Sequence, residues 1–235
     1  MKFVAPRSDL VNEIQLVARA VGGRSGIQAL GGIRLRATNG TINLGATDAE
    51  LSLQSTLSAT IASEGEVVLP GRLLADLMRV LDGDQVELES QSEAGRVTIK
   101  AGSSCFSLRV LSTEDFPRLP APPSGDVLNI AATPLIATID RVARAASRDE
   151  TRPVLTGVLV SVSNGTLRMI ATDSYRLSVK ETDLKTSGQD SFKANVPARA
   201  LRELSRLAGE RKIDEITAIA QDNQIVFGLG GATLS

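Results

Sequence analysis

Leu10-Val11-Asn12-Glu13-Ile14-Gln15-Leu16-Val17-Ala18-Arg19-Ala20 is written again, in altered letters, as Leu135-Ile136-Ala137-Thr138-Ile139-Asp140-Arg141-Val142-Ala143-Arg144-Ala145, at an offset of 125 residues. The same offset carries Leu30 to Leu155 and Gly32 to Gly157. It also carries Asn39-Gly40-Thr41 to Asn164-Gly165-Thr166, and Ala46-Thr47-Asp48 to Ala171-Thr172-Asp173. Small gaps then shift the register. Pro70-Gly71-Arg72-Leu73-Leu74 answers Pro197-Ala198-Arg199-Ala200-Leu201, and Ala101-Gly102-Ser103-Ser104-Cys105-Phe106-Ser107 answers Leu229-Gly230-Gly231-Ala232-Thr233-Leu234-Ser235. Matches that keep their order over this distance mark a tandem repeat of one module.

Each copy reads alike. A short strand opens it, over 2–5 and 127–130. An amphipathic helix follows, with Leu10, Ile14, Val17, Ala18 and Val21 on one face, and Leu135, Ile139, Val142, Ala143 and Ala146 in the second copy. That spacing has the helical period. Two strands then meet at Asn39-Gly40 or Asn164-Gly165, the strongest short hairpin signal. One further strand is expected after Asp48 or Asp173. Pro70 or Pro197 ends a strand and starts a second helix, where a missing N–H costs little. A closing hairpin completes the copy, entered in copy one by Asp82-Gly83-Asp84. The fold class is α+β, two helices packed on antiparallel sheets in each module.

The expected boundaries are 1–120 for the first module, 121–126 for a linker and 127–235 for the second. The run from Asp115 to Gly125 holds four prolines and reads as a stiff strap rather than a floppy tether. Ser235 aligns with Ser107, inside the last strand of the repeat, so the second copy is expected to be cut short and the chain to be a fragment.

The 235 residues include no histidine, one cysteine (Cys105) and one tyrosine (Tyr175). Lacking histidine, the chain lacks the commonest general base and transition-metal ligand, and no metal or cofactor is expected. One cysteine permits no internal disulfide, which suits a reducing cytoplasm. The N-terminal Met1-Lys2-Phe3-Val4-Ala5-Pro6-Arg7 has no apolar leader core, and no apolar run is long enough for a membrane helix.

The formal net charge is −1, so contact with a polyanion has to come from a local patch. Arginines recur at helical spacing: Arg141, Arg144 and Arg148 at i, i+3 and i+7, and Arg199, Arg202 and Arg206 at the same spacing. Copy one is thinner, with Arg72 and Arg79 on its second helix and Arg19 and Arg24 near the end of its first. A solvated helix face is the plain alternative for any one of these. Repetition of the bias on four helices argues for a shared positive surface that takes phosphates without reading sequence. With aromatics at only 3%, base stacking has little support, and duplex DNA is favoured over single strands.

Three stretches carry a resemblance. They are Arg152-Pro153-Val154-Leu155-Thr156-Gly157-Val158-Leu159, Ala171-Thr172-Asp173-Ser174-Tyr175-Arg176-Leu177-Ser178-Val179, and Phe106-Ser107-Leu108 followed by Glu114-Asp115-Phe116-Pro117-Arg118-Leu119-Pro120. Together they resemble the bacterial sliding clamps, the β subunit of the replicative DNA polymerase III, over the whole chain. Such clamps have three modules, and two subunits close head to tail into a ring, helices inside and sheets outside. The chain looks like modules one and two, with the third missing.

The resemblance implies a non-catalytic processivity factor that encircles duplex DNA in the cytoplasm as a homodimer. It implies a DNA contact at Arg24. Arg72, Arg79, Arg141, Arg144, Arg148, Arg199 and Arg202 become pore-lining candidates by helix position. It further implies a pocket for short peptides of the polymerase III catalytic subunit, the clamp loader and repair proteins, with one wall at Leu155, Thr172, Ser174, Tyr175, Arg176 and Leu177. Leu155 and Leu177 could also be plain strand core, matching Leu30 and Leu51. Copy one has Ala49-Glu50-Leu51 where copy two has Ser174-Tyr175-Arg176-Leu177, read as one residue longer. Ser25-Gly26-Ile27-Gln28 departs from a proline-containing segment of many clamps. Lacking the third module, this chain should neither close a ring nor hold peptides at full strength.

Two rivals stand against this reading. An enzyme could use Asp48 and Asp173 as a carboxylate pair, but they fall at one place in two separate copies, and a turn role suits them better. Gly228-Leu229-Gly230-Gly231 does not lead from strand to helix and fails as a nucleotide loop. The other rival is a protein-interaction scaffold without DNA contact.

Overall fold

A computed structural model describes residues 1–23, 27–91, 95–120, 127–184, 192–221 and 224–235. The chain divides into two units, Met1–Pro120 and Ala121–Ser235.

In the first unit β1 (Lys2–Pro6) runs into α1 (Arg7–Val17). Then come β2 (Gly32–Thr38), β3 (Thr41–Thr47), β4 (Ser52–Ser58), β5 (Thr60–Ser63), β6 (Gly65–Pro70), α2 (Gly71–Val80), β7 (Gln85–Gln91), β8 (Arg96–Ala101) and β9 (Ser104–Arg109). All strand pairs are antiparallel. One set runs β5-β1-β7-β8-β9, the other β4-β3-β2-β6.

The second unit repeats the plan. It has β10 (Leu128–Ala131), α3 (Ala132–Val142), the short α4 (Pro153–Thr156), β11 (Gly157–Ser163), β12 (Thr166–Thr172), β13 (Leu177–Asp183), β14 (Phe192–Pro197) and α5 (Ala198–Glu210). The hairpin β15 (Glu215–Gln221), β16 (Gln224–Leu229) and β17 (Ala232–Leu234) closes it. Its antiparallel sets run β13-β12-β11-β14 and β10-β15-β16-β17.

The expected devices are present at the expected residues. Asn39 and Gly40 both have positive φ, as do Asn164 and Gly165, which is the geometry of the tight hairpin turn. Thr38 faces Thr41 and Ser163 faces Thr166 across those turns. Pro70 and Pro197 cap their helices with φ −54° and −51°. Gly230 and Gly231 also have positive φ and turn β16 into β17, so that glycine run makes a hairpin.

Three differences have physical causes. The helical face projected through Val21 ends early: α1 stops at Val17 and tightens to a 3-10 turn over Ala18–Ala20. With three residues per turn, Ala20 is buried there while Ala18 is only half-buried. In the second copy α3 stops at Val142 and the 3-10 turn spans Ala143–Ala145. Arg148 therefore lies past the helix in the following loop, not on a continued stripe. The one strand expected after Asp48 is two. β4 pairs with β3, and β5 pairs with β1 in the other set, the break at Ala59 being held by its N–H on the Gly40 carbonyl at 3.0 Å. β5 is mostly exposed, so it lacks the apolar alternation that would reveal it in sequence.

Leu10, Ile14, Leu74 and Met78 from the two helices are fully buried against Ile33, Leu35, Leu44 and Leu53 of the sheets. Leu135, Ile139, Leu201 and Leu204 do the same work in the second unit. The strap behaves as a packed segment over 111–120. Leu111 bridges to Val68, Phe116 is buried with Ala29 and Val68, and Leu119 packs against the bare face of Gly45. Gln54 donates to the Pro120 carbonyl at 2.7 Å. The Arg34 guanidinium lies 5.7 Å from the Phe116 ring centre, a cation–π contact, and burial pulls its pKa below the ordinary value. The expected linker, 121–126, lies outside the described residues. Among the described residues no helix is long and apolar enough to cross a membrane.

If the strap is part of the first core, Phe116→Ala should cost about 3 kcal/mol of unfolding free energy, seen as a lower urea midpoint at constant slope. A loss below about 1 kcal/mol would mean that the strap merely lies on the surface.

Candidate nucleic-acid and peptide interfaces

The helices turn their apolar stripes to the sheets, so their arginines face outward. Arg72, Arg79, Arg141, Arg144, Arg148, Arg199 and Arg202 are all exposed. They are not equivalent. Arg79 pairs with Asp76 at 3.4 Å, one turn earlier on α2. Arg206 pairs with Glu210 at 3.0 Å. Arg202 reaches from α5 to the Ala143 carbonyl at 3.3 Å, and Ser205 donates to Asp140 at 2.9 Å, so these two contacts fasten α5 to α3. The guanidinium groups of Arg72, Arg141, Arg144 and Arg148 make no hydrogen bond or ion pair among the described residues. Arg202 lies beside Arg144, because the carbonyl it holds belongs to the residue before Arg144. Arg24 lies outside the described residues. No metal-binding group of side chains occurs among the described residues.

The second cluster lies wholly within the second unit, at the loop between β12 and β13. Thr172 pairs with Leu177 across its mouth, as Thr47 pairs with Ser52 in the first unit. The loops are therefore of equal length, which corrects the expectation of an extra residue after Asp173. Arg176, not Leu177, stands where Leu51 stands. Leu51 is buried, and Arg176 is exposed. The reading of Leu177 as strand core fails for the same reason: it matches Ser52 and is 66% exposed. Leu155 is half-buried on α4.

One carboxylate organises the loop. Asp173 Oδ1 accepts the N–H groups of Tyr175 and Arg176, each at 3.0 Å, and Oδ2 accepts Arg176 Nε at 3.0 Å. Thr172 Oγ1 accepts the Ser174 N–H at 3.1 Å and donates to the Arg176 carbonyl at 2.7 Å. Such short side chains replace backbone partners in turns. They hold Ser174 at φ 78° and leave Tyr175 95% exposed.

Two arginines lace the loop to its neighbours. Arg176 Nη2 donates to the Arg144 carbonyl at 2.6 Å. Arg152 donates to Ser174 Oγ at 3.3 Å while held by Asp149 at 2.9 Å. Ser147 donates its N–H to the Leu155 carbonyl at 2.8 Å, which draws α4 to the end of the α3 segment. The surface so framed shows Val154 (76% exposed), Tyr175, Leu177 and Val179 (46% exposed). Four large apolar groups near one turn make a surface suited to apolar side chains of a peptide. Sequence reading missed Val154, Val179, Arg152 and Asp149. The Asp149-to-Arg152 spacing, one turn apart, was the available signal.

Residues 1–120 match the family described as DNA polymerase III beta subunit, N-terminal domain. Residues 129–235 match its central domain. The chain belongs to the DNA polymerase III beta subunit family. That family is a non-catalytic accessory subunit. Asp48 and Asp173 each accept two main-chain N–H groups of their own loop, which is a turn role. The chain is 35% identical to the beta sliding clamp of Synechococcus elongatus, covering 100% of the chain and 64% of that clamp. It is 32% identical to the clamp of Streptomyces coelicolor, over 99% of the chain and 58% of the relative. The crystal structure of the DNA polymerase III beta subunit of Pseudomonas aeruginosa superposes with TM-score 0.90 at 30% identity, covering 100% of the chain and 63% of that protein. That of the Bacillus subtilis clamp gives 0.91 at 28%, with the same coverage. The chain thus spans a little under two thirds of the beta sliding clamps it matches.

The backbone N–H groups of Tyr175 and Arg176, with the Arg176 guanidinium, hold the Asp173 carboxyl below its ordinary value of 3.8. A depressed value means the carboxylate's contacts are complete above the unfolded pKa and are lost as pH falls through the lower folded one. A carbon-13 titration of Asp173 should therefore give a midpoint below 3.8. A midpoint at or above it would contradict the loop geometry.

Proposed function

We propose that the chain forms the first two modules, 1–120 and 127–235 joined by 121–126, of a DNA sliding clamp. A third module completes the subunit, and two subunits close head to tail around duplex DNA. The observation that carries this reading is a set of exposed arginines, Arg141 and Arg144 on the α3 segment, Arg148 in the loop after it and, within the first module, Arg72 on α2, none of their guanidinium groups partnered among the described residues, in a chain of this family. Free guanidinium groups on outward helix faces bind phosphates wherever they fall, with no base to read. Topology then supplies the grip and weak contacts allow sliding.

In the second module Arg199 and Arg202 on α5 are further candidates, as are Arg79 and Arg24 in the first module. Arg79, Arg199 and Arg202 contribute less, since each has an interaction of its own already. The surface around Leu155, Thr172, Ser174, Tyr175, Arg176 and Leu177 takes short peptides of the polymerase catalytic subunit, the clamp loader and repair proteins. Its apolar side chains supply the area, and the third module would supply the opposite wall. The protein works in the cytoplasm, without cofactor or metal.

Duplex binding at low salt tests the DNA surface. Each lost phosphate contact lowers the slope of log affinity against log salt by about 0.9, so replacing Arg141, Arg144 and Arg148 by glutamate should flatten it by about 2 to 3. An unchanged slope would favour a scaffold without DNA contact. For the intact gene product, retention on circular but not linearised plasmid would establish the ring.

A further inference from the structure

The loops after β3 and β12 have the same frame. Asp48 Oδ1 accepts the N–H groups of Glu50 and Leu51 at 3.1 and 2.9 Å, and Thr47 Oγ1 accepts that of Ala49 at 3.1 Å. Ala49 has φ 80°, beside 78° for Ser174. The frame is thus independent of what the loop displays. In the first unit it displays Ala49 and Glu50 and tucks Leu51 into the core. In the second it displays Ser174, Tyr175 and Arg176. Replacing an inward leucine by an arginine removes the apolar anchor of the loop. The second unit restores an anchor through Arg176 itself, gripped by Asp173 on one side and by the Arg144 carbonyl on the other.

We infer that Asp173 is the positioning residue of the peptide-docking surface, fixing Tyr175 and Arg176 in a receptive arrangement without itself meeting the peptide. Its three acceptor contacts all go to the loop, two to main-chain N–H groups and one to a guanidinium, and its side chain is only 22% exposed. A tyrosine 95% exposed has no packing of its own to hold it, so its direction is set by the turn beneath. Ordering the turn before the ligand arrives removes that cost from binding. Thr172 supports Asp173 from the other side of the turn, donating to the Arg176 carbonyl and accepting from Ser174. This assignment rests on the peptide reading above.

The test uses the intact gene product and a fluorescein-labelled heptapeptide bearing two leucines and one phenylalanine, followed by anisotropy. Asp173→Ala should weaken peptide binding about tenfold and speed amide exchange at Tyr175 and Arg176, with the melting temperature little changed. Asp173→Asn keeps a side-chain oxygen for the two N–H groups and should restore affinity to within about threefold of wild type. Rescue by asparagine separates positioning from bulk destabilisation. Unchanged affinity and exchange in Asp173→Ala would overturn the assignment. A wild-type protein that ignores the peptide would overturn the docking reading on which the assignment rests, and the wild-type titration alone tells the two failures apart.

Discussion

Burial of one apolar stripe per helix against antiparallel strands is the constraint on which everything else rests. Leu10, Ile14 and Val17 in α1, and Leu135, Ile139 and Val142 in α3, spend the inward face of each helix on the core. Only the opposite face is left for polar groups. Arg141 and Arg144 point outward because their neighbours at helical spacing point in. The same burial in two copies gives each module a charged helical side and a sheet side. Function is therefore distributed by the packing, and the loops at the strand ends are free to vary.

The repeat made most of the fold legible. Asn-Gly turns, proline helix starts and the i, i+4, i+7 stripe are each local chemistry with one structural outcome, and each occurs where it was read. What escaped was tertiary in origin. β5 has no alternation because it is mostly exposed, and its partner β1 lies far away in sequence. The early helix ends at Val17 and Val142 follow from a 3-10 tightening that no capping residue announces. The loop after Asp173 was misread by one residue because Leu177 resembles Leu51 by letter, while strand register aligns it with Ser52.

Of the candidate site, the sequence offered arginines and loop residues but not Val154, Val179, Arg152 or Asp149, and it did not tell which arginines already have partners. Spacing alone makes Arg72 and Arg79 look alike, yet Asp76 neutralises one of them. Arg202 sits in the stripe and still spends its hydrogen bond on the Ala143 carbonyl, acting as a fastener between α5 and α3. Arginine suits both tasks because its fork of donors can serve a carbonyl as readily as a phosphate. Only coordinates separate the two uses. The Arg152 contact to Ser174 joins residues 22 positions apart, which no periodicity would suggest.

The strap has a bearing on how the protein is made. Leu111, Phe116 and Leu119 fill places in the first module that no earlier residue fills, and Gly45 has no side chain of its own against Leu119. A nascent chain that has just emitted β9 therefore holds an unfinished core. Domains form in order as they leave the ribosome. Here the first one seals only when the segment leading to its successor has emerged, by which time the start of the second module has already been made.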